Sequence, residues 1–478
     1  MKLWSKGSNN SEEDSALKKA VETFTVGNDR QMDIVLAPFD VLGNIAHAKM
    51  LTSIGLLTDQ EAKDIVSELK NIYACIQPSA FSVQRSASDQ RSAFSVKPSA
   101  SDQPSAFCIQ PEVEDIHSQI ELLLTQKLGD TGKKIHSARS RNDQVLVDIK
   151  LYLRHSIEEL AIEINTFFKL LIEQSNKYQH HLLPGYTHLQ LAMPSSFGLW
   201  FSAYAESLVD DVTVLQAAYS IVNKNPLGSA AGYGSSFPIN RTMTTELLGF
   251  ADLNYNVVYA QMGRGKAERI TAQAMANVAD TLAKLSMDMC LYLNQNFDFI
   301  SFPSSLTTGS SIMPHKKNPD VFELIRSHCN RIKALPNEIM MMTTNLPSGY
   351  HRDLQLLKEH LFPAFNTLKD CLAMASLMLS NITIKEDILQ NEKYKYLFTV
   401  EAVNELVLKG MPFRDAYKTV GQQVEEGSFQ YNLQQGLNHT HEGSIGNLCN
   451  EQIAASMQHT LSTFGFDKVK EAIEKLLV

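Results

Sequence analysis

Residues 133–183, 266–302 and 364–409 contain neither glycine nor proline. Runs of that length lack the residues that most often stop a helix. Within the first, Val145, Ile149, Tyr152, Leu153, Ile157, Leu160, Ile164, Phe167, Phe168, Leu171 and Ile172 recur at three- and four-residue steps. That is an apolar stripe of helical period. A helix from Asp143 to about Lys177 would be roughly 50 Å long at 1.5 Å per residue. Such a rod suits an extended bundle better than a small globule. The second run repeats the pattern through Ile270, Ala274, Val278, Leu282, Leu285, Met289 and Leu293. Alternating strand-type runs are scarce. The expectation is an all-α chain built on a central bundle of long helices.

Composition supports that reading. Glycine (23) and proline (16) together make about 8% of 478 residues, against roughly 12% in average proteins. A hydrophobic content of 44% and a charged content of 20% exclude a disordered chain. The net charge of −9 argues against a nucleic-acid scaffold. Six scattered cysteines form no CxxC pair, so reduced thiols in a cytoplasmic protein are expected. The opening Met1–Gly7 lacks the apolar core of a signal peptide, and no run of 18 apolar residues predicts a membrane span. His180-His181 has no acid or cysteine at metal-ligand spacing, so no metal is expected.

Residues 77–110 differ in kind. Pro78-Ser-Ala-Phe-Ser-Val-Gln84 returns as Arg91-Ser-Ala-Phe-Ser-Val-Lys97 and starts again at Pro104. Cys75-Ile-Gln-Pro78 recurs as Cys108-Ile-Gln-Pro111. The expectation is a duplicated insertion in a solvated loop between two helices.

Four segments carry groups suited to chemistry. Thr307-Thr-Gly-Ser-Ser-Ile-Met-Pro-His-Lys-Lys-Asn-Pro319 combines a flexible Gly-Ser-Ser, two cations and an amide between two prolines, followed by a helix through Glu323. On residue types alone it is an anion-binding loop or a generic basic surface loop. Pro184-Gly-Tyr-Thr-His-Leu-Gln190 offers His188 beside Thr187 as an acid–base candidate, or as a structural histidine. His136-Ser-Ala-Arg-Ser-Arg-Asn-Asp-Gln144 places Arg139 and Arg141 before the long helix, as a carboxylate fork or as helix-start electrostatics. Tyr350, Gln355 and Lys358 suit a zwitterionic amino-acid group, or mark an exposed helix start. Leu227–Ser236 is Gly-rich but lacks nucleotide-loop spacing and reads as a turn between helices.

The Gly309–Pro319 loop resembles the signature of the fumarase/aspartase superfamily. Lys2-Leu-Trp4, Arg139–Gln144, Pro184–Gln190 and the stretch from Tyr350 through Asp353-Leu-Gln355 to Lys358 look like the argininosuccinate lyase branch. The resemblance covers nearly the whole chain except 77–110. It implies a three-domain fold with a 20-helix core in a homotetramer, active sites shared between three subunits, and no cofactor. The implied domains are 1–140, 141–388 and 389–478. It implies Ser310 as base, Lys316 with Ser311 and Asn318 at the carboxylates, and His188 paired with Glu323 on the proton-donor side. Asn142, Thr187, Tyr350, Gln355 and Lys358, with Arg139 and Arg141, match substrate contacts. The chain departs at Ser137-Ala138, where the family commonly has Thr-Gly, at His315, and at Gly27, where a contacting serine is usual and Asn28 is the candidate substitute. The implied partner is a small-molecule substrate, with neither nucleic acid nor membrane. A sister fumarate-releasing lyase and a non-catalytic crystallin-like protein are the alternatives left open.

Overall fold

The computed structural model describes residues 12–80, 107–309, 311–432 and 437–478. Ser310, the Lys2-Leu-Trp4 opening and most of the repeat-bearing insertion lie outside those residues. Helices of ten or more residues are α1 (Glu12–Val26), α2 (Ala37–Ser53), α3 (Asp59–Ala80), α4 (Ile116–Leu128), α5 (Arg141–Lys177), α6 (Phe197–Val222), α7 (Lys266–Leu293), α8 (Asp320–Met342), α9 (Leu357–Ser380), α10 (Thr399–Leu408), α11 (Phe413–Glu425), α12 (Asn450–Ser462) and α13 (Phe466–Leu477). Strands among the described residues are short, and the longest pair is the antiparallel hairpin β1 (Leu182–Thr187) and β2 (Gln190–Ser196). The helical expectation holds.

The 37 residues of α5 run about 54 Å from end to end. Its start is fixed chemically: Ser140 accepts from the Asn142 N–H, and the Asp143 carboxylate accepts from Ser140 N at 2.9 Å. That reciprocal cap satisfies donors which the first turn cannot bond internally. The predicted stripe is buried, from Ile149 through Leu153, Ile157, Leu160 and Ile164 to Phe167 and Leu171.

Cross-links give the directions of the other bundle helices. Asp288 near the end of α7 accepts from Trp200 Nε1 (3.0 Å) and Tyr204 OH (2.6 Å) at the start of α6. Gln174 near the end of α5 donates to Leu379 O at the end of α9. Gly198 lets the start of α6 press on the end of α5: a Cβ there would lie 2.5 Å from Gln179 Cα. The ends of α5, α7 and α9 therefore share one end of the bundle with the start of α6. The start of α7 meets the end of α8, where a Cβ on Gly265 would lie 2.8 Å from Thr343 Cγ2.

The third run free of glycine and proline is not one helix. α9 ends at Ser380, and Asn381 and left-handed Asp387 (φ +58°) turn the chain before α10. Short polar side chains that compete for backbone partners do there what glycine does elsewhere. The segment Asp29–Ser53 is long and apolar enough to cross a membrane by composition, but 83% of its apolar window is buried within the chain. It is a core helix by packing.

Asp211 on α6 accepts from Thr281 of α7 at 2.6 Å. Burial, with Asp210 and Asp280 nearby, pushes its carboxyl up to about 6. A raised native pKa means that the ionised form costs stability above about 6, and that the cost vanishes below the ordinary carboxylate range. Asp211→Asn should therefore stabilise the fold near pH 8 by an amount on the order of 1–3 kcal/mol, read as a higher thermal midpoint. The gain should fade as the pH falls towards 4, which calorimetry across pH will check.

Candidate functional site

The expected site residues fall at the two ends of this bundle. At the first end, the N-terminal segment meets the turn before α9. Gln355 Nε2 donates to Thr25 O (3.0 Å) and Val26 O (3.3 Å). Asn28 Nδ2 donates to Glu359 at 3.3 Å. Gly27 is left-handed at φ +50°, so its backbone favours glycine over the serine usual in the family. Lys358 is buried, not at an exposed helix start, and its ammonium bridges Asp29 and Asp33. Burial, then the neighbouring Asp33, lifts the Asp29 carboxyl to about 6 against the pull of Lys358. Tyr350 lies beside this group, 40% exposed.

The Arg139–Asn142 segment adjoins that face. Arg352 pairs with Glu114 at 3.1 Å, and the next residue, Asp115, pairs with Arg141 at 3.3 Å. Asp115 also caps α4 by accepting from Ser118 N at 2.7 Å. Arg141 donates to Ser118 Oγ (3.0 Å) and Gln144 (3.3 Å). Arg139 donates to Asn44 Oδ1 at 2.5 Å. Both guanidinium groups are thus engaged inside the protomer, and they brace the helix start. The Asn142 side chain makes no hydrogen bond among the described residues and is half-buried. Ala138 stands in the left-handed region at φ +62°, where the family's usual glycine is at ease. The Gly-rich Leu227–Ser236 turn is also tied in: Asp143 accepts from Gly228 N and Ala230 N, both at 2.9 Å.

The other end carries the second set. Thr187 and Gln190 pair across β1–β2, which leaves His188 (φ +53°) and Leu189 (φ +58°) as the two-residue turn. Hairpins prefer Asn-Gly there, so this is a strained, exposed presentation of an imidazole. The signature loop is a second hairpin. Thr308 pairs with Asn318 and Gly309 with Lys317. Thr308 Oγ1 donates to Asp320 at the start of α8. Ser311, Lys316 and Glu323 are exposed. No hydrogen bond or ion pair among the described residues joins Thr187, His188, Lys316, Asn318 or Glu323 to the first face, and none joins Glu323 to His188.

Sequence reasoning missed Asp29, Asp33, Asp40, Asn44 and Ser118. A signal existed for two of them: Asp33 and Asp40 bracket the apolar run Ile34–Phe39. A charge inside such a run is either paired or functional. Asp40, His117 and Asp148 are also the one group of metal-ligand type among the described residues, and all three are buried.

Lys358 has side-chain exposure of 5% and Asp33 of 3%, so removing the cation strands two acids in a poorly solvated place. Lys358→Ala should cost about 3–5 kcal/mol near neutral pH. The cost should shrink as the pH falls through about 6, where the Asp29 carboxyl takes up a proton. Denaturant titrations at the two pH values will show a pH-independent loss if the ion pair is unimportant.

A lyase family model matches residues 2–334. The argininosuccinate lyase of Bacteroides fragilis is 56% identical over 476 residues, covering 100% of this chain and 99% of that protein. That of Parabacteroides distasonis is 55% identical with the same coverage. A solved structure of an EDDS lyase in complex with formate superposes with a TM-score of 0.69 at 19% identity, covering 95% of this chain and 94% of that one, and so speaks to the fold alone. With more than half its residues shared along full-length argininosuccinate lyases, the chain belongs to the argininosuccinate lyase family.

Proposed function

We propose that the chain catalyses the reversible elimination of argininosuccinate to arginine and fumarate, a carbon–nitrogen lyase reaction of arginine biosynthesis. The observation that carries this reading is full-length identity of 56% to an argininosuccinate lyase. A base takes a proton from the carbon beside a succinyl carboxylate. The electron pair first enters that carboxylate as an aci-carboxylate, then forms the carbon–carbon double bond as the carbon–nitrogen bond breaks. The leaving guanidine nitrogen takes a proton from an acid. No metal or organic cofactor enters the scheme.

In this reading Ser310 is the base, activated by the N–H groups and lysines of its loop. Lys316, Ser311 and Asn318 hold the succinyl carboxylates and stabilise the developing dianion. His188, with Glu323, supplies the donor side. Asn142 and Thr187 contact the substrate, and Tyr350, Gln355, Asn28 and Lys358 face the arginine end. Arg139 and Arg141 act through the segment they brace. Lys358, already paired with two acids, offers N–H donors more than net charge.

In this reading the chain works as a homotetramer with shared sites, and the spacing supports the sharing. Asn142 sits at the start of α5, and the His188 hairpin follows its end, about 54 Å away along 37 residues. One protomer cannot close both onto a substrate about 15 Å long. The α8 helix separates the signature loop from the Tyr350–Lys358 turn in the same way.

Fumarate release measured side by side with argininosuccinate, adenylosuccinate, aspartate and malate tests the assignment. Activity confined to argininosuccinate is expected, and robust activity on another substrate alone overturns it. Ser310→Ala should lower kcat by about 100-fold or more with assembly intact. A rate near wild type would remove Ser310 from the mechanism.

A further inference from the structure

Three ionisable side chains are sealed beneath the start of α5. Asp40 of α2, His117 of α4 and Asp148 of α5 are each no more than 2% exposed. His117 Nδ1 lies 2.8 Å from Asp40 Oδ1 and 3.2 Å from Asp148 Oδ2. Two buried carboxylates this close do not both ionise without a large desolvation cost.

The two acids are not equivalent. Asp40 accepts from Asn44 Nδ2 at 2.8 Å and from His117. Burial works against its charge, but His117, Arg139 and Arg141 outweigh it and hold the carboxyl below the usual range. Among the described residues neither oxygen of Asp148 makes a hydrogen bond, although Oδ2 lies 3.2 Å from His117 Nδ1. Burial, then the charge of Asp40, pushes Asp148 well up, with Asp33 adding to the push and Arg139 opposing it. A proton on Asp148 would let it donate to Asp40 and so give its carboxyl a partner. The groups around the cluster are therefore Asp33 from the short helix before α2, Asn44 and His47 from α2, Asp115 from the start of α4, and Arg139 and Arg141. Of these, His47 has its pKa pushed well down by burial and donates from Nε2 to the Ser137 carbonyl at 2.9 Å.

Both braces of the Arg139–Asn142 segment start from this cluster. Asp40 orients Asn44, and Asn44 holds Arg139 at 2.5 Å. His117 anchors the first turn of α4, whose cap Asp115 and whose Ser118 hold Arg141. Asn142 follows directly, and its side chain makes no hydrogen bond among the described residues.

We propose that Asp40 and His117 are positioning residues for the elimination, a carboxylate–imidazole pair that fixes Arg139 and Arg141 and thereby aims Asn142 at the substrate, while Asp148 fills the space beside them as a neutral acid. The inference rests on Asn142 being a substrate contact. A divalent metal on the same three side chains is the competing reading, since their ligand atoms lie within 4.8 Å of one another. The burial of all three leaves no entry path, and the 2.8 Å contact is already a hydrogen bond.

Two chemically identical substitutions separate the readings. Asp148→Asn preserves what a neutral acid supplies, so kcat/KM for argininosuccinate should stay within about threefold of wild type. Asp40→Asn removes the charge that His117 and Arg139 share, so kcat/KM should fall by about 30-fold or more, with most of the loss in KM. A merely structural lesion would lower the thermal midpoint and the active fraction while leaving KM unchanged. Independently of activity, the infrared band of a buried protonated carboxyl should be present in wild type near pH 8 and absent from Asp148→Asn. That second measurement needs no folded Asp40 variant. Equal losses in the two variants, a missing carboxyl band, or metal bound at one equivalent per chain and lost with activity on chelation would each overturn the proposal. If the wild type does not release fumarate from argininosuccinate, the reaction assignment fails, while the infrared contrast still reads the cluster.

Discussion

The rigidity of one helix sets the arrangement of everything else. α5 has 37 residues, buries an apolar stripe for its whole length and cannot fold back on itself. Whatever precedes it and whatever follows it are held about 54 Å apart. The polar face built from residues 25–33, 113–118, 139–144 and 350–359 lies at its start. The strained His188 hairpin lies just past its end, and Trp200, Tyr204 and Asp288 tie that end to the helix leading into the signature loop. Each protomer is therefore a strut carrying unlike chemistry at its two ends. In the proposed mechanism, catalysis depends on how struts associate.

At the start of that helix, a few buried polar groups each serve two elements. Asp143 caps α5 and gathers the N–H groups of Gly228 and Ala230. Asp115 caps α4 and holds Arg141. Lys358 joins the turn before α9 to the N-terminal segment through two acids. Low exposure strengthens each of these contacts and makes each one costly to leave half-made. Backbone strain is found at both ends of the helix: Ala138 near its start, and His188 and Leu189 on the hairpin past its end, are left-handed without being glycine.

Much of this was legible in the sequence. The runs free of glycine and proline predicted α5 and α7, because helical period and missing stop signals are local properties. The third such run is broken after Ser380, where the Asn381 side chain donates to Leu377 O, a weaker stop signal than glycine. The motif residues were visible as clusters of functional types. Their distribution between two ends of a bundle was legible only once helix length was set beside their order. The partners of Arg139, Arg141 and Lys358 were not legible: Asn44, Asp115 and Asp33 are 95, 26 and 325 residues away in sequence and are chosen by packing. Of the two readings open for Arg139 and Arg141, their contacts with Asn44, Asp115 and Ser118 favour helix-start bracing.

The central claim is that one active site needs parts from different protomers. It is tested most directly by mixing two inactive variants, His188→Asn at one end of the bundle and Asn142→Ala at the other, after dissociating and reassembling them together. The account predicts that each variant alone is inactive and that the mixed assemblies recover a measurable fraction of the wild-type rate. In those assemblies some sites draw an intact His188 and an intact Asn142 from different chains. Mixed assemblies as inactive as either parent would contradict it.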